Sequence, residues 1–269
     1  MTKKQIRRTL PAALLAVLSL FLILSPSVRA QGGPPMITDD PATPGDGMWE
    51  VNFLSTLGRS RDGWLFEAPL VDVNYGLGQH LQLKLEAPWV VVKEPGEKAK
   101  SGLGNSMVGV KWRFIDEERR GFDMSIYPQL EFNNPTNSVA RGLADEGASL
   151  LLPVEAGKKI GPVEVLGEVG YRVTRHSPDE WEYGVLFVRQ VSPRVELVGE
   201  IHGSALRTFS ESELFFNAGS RIRLTKSAVL LMSAGRTIHN AGGRGPETIA
   251  TFGIQFNFRN RMPSFLRHQ

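Results

Sequence analysis

The sequence has no cysteine, which excludes disulfides and thiolate metal sites. Its 5 histidines lie at positions 80, 176, 202, 239 and 268, without the spacing of a zinc or iron site. Beyond the first thirty residues no apolar run approaches the roughly 20 residues of a membrane-crossing helix. Mean hydropathy is slightly negative, so a bundle of membrane helices is excluded. A sustained helical period is also missing from that part of the chain. The positive charge of +3 comes from one place. Lys3, Lys4, Arg7, Arg8 and Arg29 precede the first acidic residue, and without them acids slightly outnumber bases. Nothing in that balance suggests nucleic-acid binding.

The first thirty residues form a leader. A basic stretch is followed by an apolar run from Leu10 to Leu24 and by Val28-Arg29-Ala30. This is the three-part pattern of a signal peptide cleaved before Gln31. The apolar run is too short to span a bilayer. The chain is therefore expected to be exported.

From about residue 48 onward, apolar and polar side chains alternate. In Val108-Gly109-Val110-Lys111-Trp112-Arg113-Phe114, the apolar side chains occupy one parity and the basic ones the other. A strand sends successive side chains to opposite faces, so the two sets point apart. Twelve such segments are predicted, near 48–58, 65–77, 80–92, 105–116, 122–133, 147–158, 163–175, 180–191, 195–204, 213–224, 227–237 and 248–258. Most are ten residues or longer, near the 9–11 that a tilted strand needs to cross a bilayer. Short connections such as 76–78, 160–162, 192–193 and 225–226 alternate with longer polar ones at 93–104, 134–146, 205–212 and 238–247. Aromatic residues fall near strand ends, among them Trp49, Trp64, Tyr75, Trp89, Trp112, Trp181, Phe252 and Phe258.

Long alternating strands, asymmetric loops and aromatic ends are the marks of an outer-membrane barrel. Closure gives every backbone polar group a partner, as lipid requires. The predicted fold is all-β: a single closed antiparallel transmembrane β-barrel of about twelve strands with up-and-down topology. The expected division is a signal peptide over 1–30, a periplasmic N-terminal segment over 31–46, the barrel over 47–258 and a periplasmic tail over 259–269. The expected location is the outer membrane of a Gram-negative bacterium. The expected partners are its lipids, the barrel-assembly machinery and a small-molecule solute. No cofactor, no metal, no nucleic acid and no enzymatic activity are expected.

With apolar faces toward lipid, the polar faces line the interior. The candidate lumen-lining residues are Glu50, Asp72, Lys84, Glu86, Lys111, Arg113, Asp123, Glu131, Glu155, Glu164, Glu168, Arg172, Glu196, Glu200, His202, Arg221 and Arg223. Twelve strands enclose less than an open porin, and mixed charge in a narrow lumen favours internal ion pairs. A channel there is expected to prefer small solutes, weakly favouring cations. Pro69, Pro88, Pro128 and Pro153 fall inside predicted strands, where proline removes a ladder donor. Bulges are the favoured reading over a lateral opening. The pair Asp39-Asp40 reads as a solvated turn in preference to a cation site.

Pro35-Met36-Ile37-Thr38-Asp39-Asp40-Pro41 and Gly45-Asp46-Gly47-Met48-Trp49-Glu50 resemble the start of outer-membrane barrels grouped as "MetA-pathway of phenol degradation". Val73-Asn74-Tyr75-Gly76, Gly109-Val110-Lys111-Trp112-Arg113-Phe114 and Ser233-Ala234-Gly235-Arg236 are similar to further signatures of that family. The resemblance implies a barrel that passes small molecules, apolar or aromatic ones included, and it transfers no catalytic residue. Such barrels usually end on an aromatic strand residue, here Phe258, whereas this chain continues to Gln269. One alternative is enzymatic: a lipid hydrolase with His202 as base, Ser204 as nucleophile and Asn217 as orienter. Alternation sends that strand face inward, away from lipid acyl chains. The other alternative is a closed structural barrel without transport.

Overall fold

The computed structural model describes residues 33–242 and 246–259. The predicted signal peptide and all but the first residue of the predicted tail lie outside the described residues.

Among the described residues fourteen strand segments form one antiparallel sheet. They are β1 Met48–Ser60, β2 Gly63–Leu77, β3 Leu81–Lys93, β4 Lys100–Leu103, β5 Ser106–Ile115, β6 Asp123–Ile126 and β7 Gln129–Phe132, then β8 Ala148–Ile160, β9 Val163–Thr174, β10 Glu180–Ser192, β11 Val195–Leu206, β12 Ser212–Arg223, β13 Ala228–Ala241 and β14 Thr248–Arg259. Two pairs of segments share a stave each. Both β4 and β5 pair with β3, and both β6 and β7 pair with β8. The wall therefore has twelve staves, as the alternation predicts. It closes where β1 meets β14, from Met48 opposite Arg259 to Arg59 opposite Thr248. No open edge remains along that seam, so the backbone groups of every stave have neighbours on both sides.

The wall is inverted relative to a water-soluble protein. Trp112 is half exposed, whereas its neighbour Lys111 is 1% exposed. Leu81, Leu83, Leu85, Val110, Phe187, Val169 and Phe252 all face out. Asn52, Asp72, Asn74, Gln82, Glu155 and Glu200 are buried inside. Period-two alternation has thus sorted apolar groups outward and polar groups inward. Among the described residues no helix is long and apolar enough to cross a membrane.

Connections at one rim are mostly tight: 78–80, 161–162, 193–194 and 224–227. Those at the other include 94–99, 133–147, 175–179 and 207–211. Two depart from this division. Arg61-Asp62 joins β1 to β2 at the long-loop rim in two residues. At the short-turn rim a single helical turn, α1 Glu117–Arg120, stands between β5 and β6.

The strand prolines are absorbed as local irregularities. Ala68-Pro69 lies in the register shift between Glu67 and Leu70, and Leu70 stands opposite Pro88. The extra residue changes which parity faces inward, so Leu65 and Glu67 both line a hollow at the loop end while Leu70 and Asp72 are buried beyond the bulge. Such re-aiming is what a bulge does. Tyr127-Pro128 separates β6 from β7. Proline lacks a donor but keeps its acceptor, and the neighbouring staves use it. Gly104 N–H donates to the Pro88 carbonyl at 3.0 Å, Val110 N–H to Pro128 at 3.0 Å, and Tyr127 N–H to Pro153 at 3.1 Å. The wall is stitched at these three positions.

Candidate functional site

The lumen is occupied by the chain's own N-terminal segment. This corrects the expectation of a periplasmic segment over 31–46. The described part from Gly33 lies inside the wall, with Met36, Thr38 and Asp40 buried. At the short-turn rim the Gly47 N–H donates to the Gly76 carbonyl at 3.0 Å. A Cβ on Gly76 would stand 1.9 Å from the Gly45 carbonyl oxygen, so only glycine lets the two backbones pass so closely.

The segment folds back on itself. Met36 N–H donates to the Gly33 carbonyl at 3.1 Å, and Gly33 N–H to the Thr38 carbonyl at 3.3 Å. Pro34, Pro35, Pro41 and Pro44 have no N–H to satisfy, which lowers the polar demand of threading backbone through a lumen. The remaining donors find carboxylates on the wall. Glu200 of β11 accepts from Ile37 N–H at 2.9 Å and from Thr38 N–H at 2.8 Å. Glu168 of β9 accepts from Asp39 N–H at 2.9 Å. The carbonyls find donors. Arg221 of β12 donates to Pro34 at 3.0 Å and to Gly33 at 2.8 Å. Ser233 of β13 donates to Pro35 at 2.9 Å. Met36 packs against inward-facing Leu166, Leu186, Val188 and Val198.

Asp39-Asp40 is correspondingly not a solvated turn. Lys111 of β5 places its ammonium 3.0 Å from the Asp39 carboxylate and donates to the Asp40 carbonyl. Glu155 of β8 lies 3.2 Å from the same ammonium and accepts from Ser125. The Tyr127 ring sits 4.4 Å below it. Burial raises the Asp39 carboxyl, but the charges of Lys111 and Lys84, together with hydrogen bonds from Asp40 N–H and Lys111, leave it below its ordinary value. Burial dominates at Asp40 and holds it above its ordinary value. The cation that satisfies the acidic pair is thus a lysine of the wall.

The other predicted lumen residues fall into separate groups. Asn52 donates to Asp72 at 3.0 Å and to Glu50 at 3.1 Å. Lys84 stands 3.6 Å from Asp72 and 3.1 Å from Glu86. Arg172 pairs with Glu182 and lies 3.4 Å from Glu131. Arg113 and Asp123 occupy the short-turn rim, not the mid-lumen. Arg113 pairs with Asp116 at 3.1 Å, and Asp123 accepts from Glu117 N–H of α1 at 2.8 Å. Glu196, Arg221 and Arg223 line a hollow of about 270 Å³ near that rim. Glu164, half-buried, stands opposite Lys159 near the same rim. A second hollow, of about 370 Å³, lies beside the N-terminal segment and is lined by Glu67, Glu86, Glu168, Arg172, Glu182 and His202 among others.

The hydrolase arrangement is not assembled. Asn217 donates to Glu200 at 3.0 Å, so it supports the segment's anchor and does not orient His202. Ser204 lines a separate small cleft with Glu180 and Glu213, whereas His202 lines the larger hollow. Sequence reasoning missed Asn52, Asn74, Gln82, Ser125 and Ser233, all buried inside. Their parity within each strand was the available signal. Nothing local marked the N-terminal segment as the partner of Ser233.

No family profile matches the sequence, and no curated protein does. Solved structures do match the fold. An outer membrane channel from Pseudomonas putida F1 aligns with TM-score 0.62 at 14% identity, over 86% of this chain and all of that one. The KdgM porin aligns with TM-score 0.57 at 10% identity, and the NanC porin with 0.56 at 7%, each over 78% of this chain and 99% of the other. Fold and lumen together define a closed twelve-stave antiparallel barrel with the fold of these outer-membrane proteins. Its particular character is a lumen bridged by the chain's own N-terminal segment.

Proposed function

We propose that this protein is a bacterial outer-membrane channel for small solutes whose aperture is set by residues 33–45. The observation that carries this reading is the occupied lumen, a closed wall with polar inner faces and a docked segment with a hollow beside it and another near the short-turn rim. The likeness in fold to channels and porins supports it. Export by the leader, insertion by the barrel-assembly machinery and contact with outer-membrane lipid accord with the same reading.

The charged lining favours small polar or charged solutes along the lumen, because desolvated ionic walls repel apolar molecules. The sequence resemblance implies apolar and aromatic solutes, and the hydrogen bonds to the Pro88, Pro128 and Pro153 carbonyls argue against a lateral path for them there. The test is single-channel recording in planar bilayers with the mature protein and a variant lacking residues 33–42. Small conductance in the first and a severalfold larger one in the second is expected. Equal conductance in both would overturn the role of the segment, and silence in both would overturn the channel. Liposome swelling with small polar against aromatic solutes reads the preference.

A further inference from the structure

The hollow near the short-turn rim has a different character from the lumen beside the docked segment. Arg194, Arg221, Arg223 and Lys226 line it, with Glu196 as the acid among its lining residues. The arrangement follows from the strands. Arg221 and Arg223 are two apart on β12, so they share its inward face. The Arg223 N–H donates to the Arg194 carbonyl at 2.8 Å, which sets the 193–194 turn beside them. Lys226 belongs to the next turn at the same rim. The hollow measures about 270 Å³, enough for a molecule of several carbons.

Two buried groups there have unused hydrogen-bonding capacity. Arg221 is 5% exposed. Its Nε and Nη2 hold the Pro34 and Gly33 carbonyls, but its Nη1 has no hydrogen bond. The Glu196 carboxylate stands 3.8 Å away, too far to accept one. Gln190, 7% exposed, lines the same hollow. Its amide nitrogen donates to the Ser192 carbonyl, and its oxygen Oε1 accepts nothing. The donor is cationic and keeps only a long ion pair with Glu196, and the acceptor is neutral. A buried polar group without a partner is costly, and four cations around one acid repel unless a counter-anion joins them.

We propose that this hollow is a binding site for a small hydroxylated carboxylate. The carboxylate meets Arg221 Nη1 and the charges of Arg194, Arg223 and Lys226, and a hydroxyl donates to Gln190 Oε1. Guanidinium suits a carboxylate through paired N–H donors, and the hydroxyl requirement follows from an acceptor that a simple fatty acid leaves unfilled. This goes beyond the proposed channel, because it names a ligand class and a mouth of the barrel.

The experiment is calorimetric titration of the full-length mature protein in detergent with three probes: gluconate, hexanoate and sorbitol. It reads binding without conductance, so its failure and that of the channel reading are separate. Gluconate should bind saturably, hexanoate about tenfold more weakly for want of the hydroxyl, and sorbitol not at all. The double variant R223Q/K226Q changes two exposed side chains that do not touch the docked segment, and should weaken gluconate binding about tenfold or more at low ionic strength. Unchanged heat-modifiable gel migration checks its fold. Equal binding of hexanoate and gluconate, binding of sorbitol, or gluconate binding indifferent to R223Q/K226Q would each overturn the proposal.

Discussion

Lys111 and Asp39 meet at 3.0 Å inside the barrel, joining a strand of the wall to a segment that precedes the first strand. The same ammonium faces Glu155, whose side chain is fully buried. One lysine therefore neutralises acids from both the wall and the docked segment.

Removing that lysine takes the nearest cation from both acids in a desolvated place. Lys111→Met should cost about 3–5 kcal/mol, the range for breaking a buried pair from one side. The temperature at which the folded band disappears in unheated-against-heated gels reads the loss. Adding Glu155→Gln to K111M should restore part of it. No restoration would show that the Glu155 pairing contributes little.

Because the chain has no cysteine, a single engineered pair can lock the segment without interference. A Cβ at Gly184 would lie 3.1 Å from the Thr38 Cβ, a few tenths of an ångström below the usual span for a disulfide. T38C/G184C should give a channel of low, steady conductance when oxidised and a reductant-dependent rise in open events. A conductance indifferent to reductant in a protein shown to be cross-linked would mean that the segment does not move.

The outward face should reject charge. Val110 lies mid-strand in β5 and is about half exposed, its cross-strand partner being the likewise exposed Leu83. Val110→Arg should cost about 2–4 kcal/mol in the bilayer, as for arginine at the midplane of other barrels. Reversible folding into lipid vesicles measures it. A cost near zero would place this face out of contact with lipid.

Mild acid should not release the segment. Asp39 is held below its ordinary value of 3.8, so its contribution to docking is present above that value and is lost only as pH falls through the lowered one. Asp40 is held above 3.8, so protonating it on the way down relieves a cost of the docked state. At these two carboxyls neither sign favours release as pH falls from about 7 to about 5. Single-channel conductance should stay level across that window, and a clear rise at the acidic end would contradict the assignment.

Much of the wall is legible in the sequence because side-chain parity in a strand is a local property. The predicted stave 48–58 becomes Met48–Ser60, and 195–204 becomes Val195–Leu206. At β13 the strand extends to Ala241, beyond the predicted end at 237. The break at Tyr127-Pro128 is marked by its proline, but the flip of parity at Ala68-Pro69 needs the observed register with β3.

By itself, then, the sequence determined a twelve-stave cylinder with apolar groups outside and charges inside, since alternation and turn chemistry act over neighbouring residues. Tertiary structure alone decided what fills that cylinder. Ile37 reaches Glu200 across 163 positions, Ser233 reaches Pro35 across 198, and the Ile37 and Pro35 ends of these contacts carry no periodic signal. Segment 33–45 has no strand rhythm of its own, so its place is fixed by carboxylates and guanidinium groups that come together only when the wall closes.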